Sequence, residues 1–372
     1  MEYVYLGILI FIFGLAIFDL IIGVSNDAVN FLNSAVGAKT ASFKVILGLA
    51  AIGVFFGAAT SNGMMDVARH GIFQPQYFTF VEIMCILMAV MVTDVILLDT
   101  FNSLGMPTST TVSLVFELLG GTVALAMIKS IASEGALTFG EMINTDKVLT
   151  VVLGIFLSIA IAFFFGLLIQ WITRVIFTFN YKRNLKWFAG IFGGIATTAI
   201  IYFMLFKGLK DSSFMTPENK QWINENTGQL LVYVFLGSGV LMQILHWCKV
   251  NIFKIVVLMG TFSLAMAFAG NDLVNFIGIP LTSLATYQDY MANGQGVGMD
   301  VFTMDSLNGP ANTPILFLLG AGAIMVFALV TSKKAHNVIK TSVNLSKQDD
   351  GDEMFGTSSV ARRLVVTSNS FV

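Results

Sequence analysis

Six residues occur twice. Asn26-Asp27-Ala28-Val29-Asn30-Phe31 returns as Asn271-Asp272-Leu273-Val274-Asn275-Phe276, identical at five of six positions. On a helix, Asn26 and Asn30 share a face at i, i+4, with Asp27 beside Asn30 at i, i+3; Asn271, Asp272 and Asn275 repeat the pattern. An asparagine amide accepts through oxygen and donates through nitrogen. It serves equally as a ligand to a hard cation or as a donor to an anion. Aspartate adds a full negative charge. The plainer reading is that these side chains cap helices at an interface. Two near-identical copies make binding the better expectation.

A third element is Gly105-Met106-Pro107-Thr108-Ser109-Thr110-Thr111. Four consecutive hydroxyls after a proline suit a helix opening, as caps or as donors to an oxyanion. Further acids lie within or at the ends of apolar stretches: Asp19, Glu82, Asp94, Asp99 and Glu117. An acid at membrane depth is a functional candidate. Asp19 precedes the first motif by two turns and Glu117 follows the hydroxyls by two, so both are expected to line the same cavity. The three histidines, His70, His246 and His336, are scattered, and the two cysteines, Cys85 and Cys248, sit in apolar runs. No transition-metal site, disulfide framework or enzymatic constellation follows from them.

The elements that must hold these residues are membrane helices. The chain has 372 residues, 56% hydrophobic and 11% charged, against roughly 25% charged in soluble domains. Nine stretches reach the ~20 apolar residues a span needs, near 4–24, 43–62, 80–98, 108–128, 148–178, 187–206, 230–246, 252–270 and 311–332. The expected fold is a polytopic all-α bundle. Two stretches, 28–38 and 273–284, are too short to span and follow the first and eighth directly. The N-terminal run lacks a basic start and a cleavage site, and reads as the first span. Lys and Arg favour the N-terminus outside and the C-terminal tail in the cytoplasm. The net charge of −2 gives no case for nucleic acid; the partner composition demands is the lipid bilayer.

The two copies end parent helices that cross the membrane in opposite directions. That is the signature of inverted repeats with broken helices, the motifs lying near the midplane. Gly23, Ser25 and Gly270 would permit unwound backbone there, and short half-helices would aim their amino ends at an anion. The transporter domain is expected over 1–340, with a first repeat at about 4–206 and a second at about 230–335. Residues 341–372 read as a polar cytoplasmic linker or the end of a truncated chain.

The paired motifs resemble the Gly-Ala-Asn-Asp-Val-Ala-Asn signature repeated in the inorganic phosphate transporter (PiT) family. Gly278-Ile279-Pro280-Leu281 is similar to the Gly-Pro-Leu that follows it there, and Ser109-Thr110-Thr111 resembles the family's Ser-Thr-Thr-His, with Val112 in place of the histidine. Val24-Ser25 stands where the family has Gly-Ala. A second Ser-Thr-Thr after the second motif is missing, so the chain looks like the N-terminal part of a longer member. The resemblance implies a homodimeric secondary transporter in the plasma membrane, the inner membrane if bacterial. It imports inorganic phosphate with sodium, or in some members protons, and needs no other cofactor. Phosphate would be held by Asn26, Asn30, Ser109, Thr110, Thr111, Asn271 and Asn275. Sodium would sit on Asp27, Asp272, Asn26 and Asn271. Charge balance argues the same way: like charges about 4 Å apart cost roughly 4 kcal/mol at an effective dielectric of 20, so two aspartates beside phosphate need cations. Another oxyanion such as sulfate could use the same donors.

Overall fold

The computed structural model describes residues 2–61, 67–134, 137–178, 181–209, 215–309 and 314–345. The tail from residue 346, including its hydroxyl-rich 357–359, and the side chains of Asn271 and Asp272 lie outside the described residues. Eleven α-helices follow in order among those residues: α1 Glu2–Gly37, α2 Phe43–Thr60, α3 Phe80–Leu104, α4 Thr110–Ala132, α5 Phe139–Met142, α6 Thr145–Phe177, α7 Tyr181–Phe203, α8 Pro217–Trp247, α9 Ile252–Asn293, α10 Ile315–Thr331 and α11 Lys333–Leu345. Eight are long and apolar enough to cross a membrane, nine if the bent pair α10–α11 counts as one span. The protein is a polytopic all-α membrane protein.

Local chemistry sets the helix ends. Thr79 opens α3 with a capping box: its hydroxyl accepts from the Glu82 amide, and the Glu82 carboxylate accepts from the Thr79 amide at 2.8 Å. Gly105 closes α3 in the left-handed region, at φ +69°, where glycine pays no Cβ penalty. Ser109 caps α4 by accepting from the Val112 amide.

Three apolar clusters hold the bundle. One joins α1, α2, α9, α10 and α11 around the carboxyl half of α1. The second joins the amino half of α1 to α3, α4 and the far end of α9. The third ties α7 and α8 to the start of α9. Close backbone approach makes the α2–α9 seam: a Cβ on Gly57 would fall 2.0 Å from the Met266 carbonyl oxygen. By contrast α6 buries almost nothing in the bundle; its Phe163, Phe164 and Phe165 are exposed, which suits lipid.

Helices α1 and α9 cross antiparallel. Phe31 meets Phe268 with ring centroids 6.2 Å apart, Phe276 packs on Gly23, and Phe80 is met edge-on by Tyr5 and stacked on by Tyr290. Each step up α1 is a step down α9. That register sets residues 26–30 beside residues 269–273.

Both helices differ from the expectation at the motifs. They run unbroken through them, so the short stretches 28–38 and 273–284 are continuations of α1 and α9 and not half-helices. Asn26 and Asp27 on α1 and Asn275 on α9 bond sideways to the α3–α4 connection and the start of α4, and the backbone keeps its own ladder. At about 1.5 Å per residue α9 is ~63 Å long, beyond a ~30 Å hydrocarbon core. The break lies elsewhere, in the 66° bend between α10 and α11. There the Ser332 amide donates to Ala328, closing α10, and the Ser332 hydroxyl accepts from the Ala335 amide, opening α11.

Candidate functional site

The first motif sits where α1 meets the α3–α4 connection. Asn26 is fully buried. Its amide nitrogen donates to Asn102 Oδ1 at 2.6 Å and to the Met106 carbonyl at 3.2 Å, and its oxygen accepts from the Thr108 amide at 2.8 Å. Asn102 in turn donates to the Ile22 carbonyl at 2.7 Å. Asn26 thus fixes the segment that carries the hydroxyls, and both its amide hydrogens are committed.

One residue on, Asp27 is buried and its Oδ2 accepts from the Thr110 hydroxyl at 3.2 Å. From the far side of the site Asn275 on α9 donates to Thr110 Oγ1 at 3.3 Å and Thr111 Oγ1 at 3.0 Å. Asp27, Thr110, Thr111 and Asn275 therefore form one polar chain from α1 through the first turn of α4 to α9. The hydroxyl hydrogen of Thr110 is spent on Asp27. That of Thr111 is not spent on Asn275, which is itself the donor. Thr110 and Thr111 are the first two residues of α4, so this chain passes the amide end of that helix.

Other expected residues fall differently. Asn30 is exposed although its counterpart Asn275 is buried. Ser109 is exposed and lines, with Thr108, Ser113 and Glu117, a cleft of about 630 Å³ between α3 and α4. Asp19 is fully buried on α1. Asp99 and Glu82 serve structure through ion pairs with Lys334 and Lys129. Among the described residues no group of three or more His, Cys, Asp or Glu converges as a metal site.

Two residues escaped the sequence reading, Asn102 and Ser113. Asn102 follows Asp99 and Thr100 on α3, and Ser113 follows Thr110 and Thr111 on α4. Two serines are a further find. Ser332, after α10, contacts Ser25 Oγ at 2.8 Å; Ser61, after α2, donates to the Gly270 carbonyl at 2.8 Å. Ser25 and Gly270 are the residues just before the two motifs. A Thr-Ser helix end thus touches the residue before each motif.

Fold and site together define a polytopic helical membrane protein with a buried, hydroxyl- and amide-rich centre between antiparallel helices. The Phosphate transporter family matches residues 23–344, and the chain belongs to that family. A solved structure of "The sodium-dependent phosphate transporter" is similar in fold, with a TM-score of 0.57 and 17% identity over 98% of this chain and 95% of that one. No curated protein sequence matches.

Proposed function

We propose that the chain carries inorganic phosphate into the cell together with sodium, by alternating access. The observation that carries this is the polar chain Asp27–Thr110–Asn275–Thr111, which links both repeated motifs to one hydroxyl-bearing helix start. Phosphate takes the donors: the hydroxyls of Ser109 and Thr111 and the first amides of α4, with Asn275 holding Thr110 and Thr111 in place. Sodium takes the acceptors at Asp27, with Asp272, Asn26 and Asn271 the other ligands. Asn26 contributes its oxygen alone, since its nitrogen holds the loop. Family membership supports phosphate as the cargo, and the name of the similar structure supports sodium. The reciprocal serine contacts support repeats that rock against one another. The N-terminus faces outward, and the protein works as a homodimer in the plasma membrane.

Labelled-phosphate uptake into proteoliposomes tests the reading. An inward sodium gradient should drive accumulation and potassium in its place should not. Sulfate in excess should compete poorly, because only protonated phosphate can donate a hydrogen bond to Asp27. Sulfate uptake equal to phosphate uptake, or uptake indifferent to sodium, would replace this assignment.

A further inference from the structure

At one end of the bundle a short helix is braced on the ends of three others. Helix α11 has 13 residues; at about 1.5 Å each it is ~20 Å long, short of a ~30 Å hydrocarbon core. It leaves α10 at a 66° bend. Ala335, Val338, Ile339 and Thr341 are buried on its inner side. Asn33, near the end of α1, donates to Ser342 Oγ at 3.0 Å. Lys334 pairs with Asp99, near the end of α3. The His336 ring meets Phe43, the first residue of α2, with centroids 4.1 Å apart. Thr341 also abuts Gly105: a Cβ there would fall 3.2 Å from the Thr341 hydroxyl oxygen. Gly105 begins the segment that carries the hydroxyls from Thr108 to Thr111, so α11 bears directly on that segment.

The outer side of α11 is basic. Lys333, His336, Asn337 and Lys340 are exposed at i, i+3, i+4 and i+7, one stripe of an amphipathic helix. Lys44, next to Phe43, and Lys39, two residues past the end of α1, are exposed as well. Among the described residues along α11 and at the adjoining ends of α1, α2 and α3, the one acid is Asp99, and Lys334 holds it. The stripe and its flanks thus carry four further lysines and, among those residues, no carboxylate to balance them. Charged side chains keep out of hydrocarbon, so this face sits at headgroup level or in the water beyond. Lys333 and Lys340 are spread over about 10 Å of a convex helix face. That suits a row of headgroups better than one enclosed ion. An anionic leaflet attracts each lysine that reaches its surface, and lysine meets phosphate as a point charge.

We propose that the outer face of α11, with Lys39 and Lys44, docks on anionic phospholipid headgroups, and that this contact presses α11 against Gly105 and steadies the hydroxyl-bearing segment. Zwitterionic headgroups carry the same phosphate with its charge cancelled, so they should serve poorly. Salt screens the attraction beyond about 8 Å at physiological strength, so the patch reads the lipids that touch it.

The effect on the segment rests on the transport reading; the docking does not, and it is tested first. In the purified full chain in neutral detergent, phosphatidylglycerol should raise the unfolding midpoint and phosphatidylcholine should not. Lys333→Gln with Lys340→Gln should raise the phosphatidylglycerol needed for half the effect by about fivefold per lysine. Lys147→Gln with Lys254→Gln removes equal charge from exposed positions elsewhere and should leave that amount unchanged. No response in the wild type, or an equal loss in both double variants, overturns the docking. So does a rise with inorganic phosphate that the Lys333 and Lys340 changes abolish, in favour of a free ion. The acidic run Asp349-Asp350-Gly351-Asp352-Glu353 follows α11 in the sequence. A lipid response that appears only once its four acids are made amides overturns the docking in favour of that run. The second arm measures sodium-driven phosphate uptake in phosphatidylcholine vesicles with and without phosphatidylglycerol. Uptake should rise with phosphatidylglycerol in the wild type and not in the Lys333 and Lys340 double variant. Equal uptake in both lipids, with the midpoint shift intact, overturns the link to the segment. Absence of uptake in every vesicle, with the shift intact, counts against the transport reading and leaves the docking standing.

Discussion

Asn26 and Asn30 carry the same side chain one helical turn apart, and the structure uses them oppositely. Asn26 is buried and makes three hydrogen bonds to the 102–108 segment, whereas Asn30 is exposed. Asn26→Ala would strand the Thr108 amide and Asn102 Oδ1, at about 1–3 kcal/mol for a buried unsatisfied group. Asn30→Ala should stay within about 0.5 kcal/mol, as surface changes usually do. Thermal unfolding of the two variants in detergent separates them, and equal midpoints would refute the positioning role of Asn26. Asp27→Asn asks a different question. The Thr110 hydroxyl can still donate to the amide oxygen, so the fold should hold while the charge goes. Sodium-driven uptake should drop by tenfold or more, a loss of about 1.4 kcal/mol or greater; near-normal uptake would remove Asp27 from the cation site. Both motifs and the hydroxyls of Thr110 and Thr111 were legible because their types repeat or cluster. Asn102 and Ser113 were not. A buried polar residue needs a partner, but its type does not say that the partner is 76 residues away on another helix.

The positions of the spans were legible from apolar run length, which measures how far a helix can sit in hydrocarbon. Run length does not say where the helix stops. Polar side chains at 26–30 end the apolar run but not α1, because they bond sideways and leave the helical ladder intact. Pro280 likewise lies inside α9 without ending it, at the loss of one backbone bond. The bend at Ser332 was hidden for the converse reason: a single serine closes one helix and opens the next. Glycine spacing on α2 carried a packing message that composition alone does not. Gly57 meets the Met266 backbone, while nothing lies within 4 Å of a Cβ on Gly7. Gly57→Leu should therefore force α2 from α9 and sharply reduce recovery of folded protein. Gly7→Leu, facing open space, should be recovered as wild type. Size-exclusion profiles of the two in detergent decide it, and equal recovery would show that the α2–α9 seam yields.

At the scale of the molecule, the two motif-bearing helices are each held by the end of another helix. Helix α10 ends against the residue before the first motif, and α2 ends against the residue before the second. Under the proposed alternating access, a rigid-body rock of one repeat on the other would have to open or slide these contacts, since packed seams shift between discrete arrangements and do not stretch. The Ser25–Ser332 contact offers a lock. Its hydroxyl oxygens are 2.8 Å apart, and a disulfide needs sulfurs at about 2.05 Å with Cβ atoms some 3.5–4.5 Å apart. The native thiols are only Cys85 and Cys248, so a background with serine at both positions is easily made. In that background Ser25→Cys with Ser332→Cys should cross-link on mild oxidation. Phosphate uptake should then stop in the oxidised vesicles and return on reduction, while each single cysteine variant stays indifferent to oxidant. A cross-linked protein that still accumulates phosphate would mean that α1 and the α10–α11 corner travel together. The moving boundary would then have to lie elsewhere, leaving the α2–α9 seam at Gly57 and Met266 as the next place to lock.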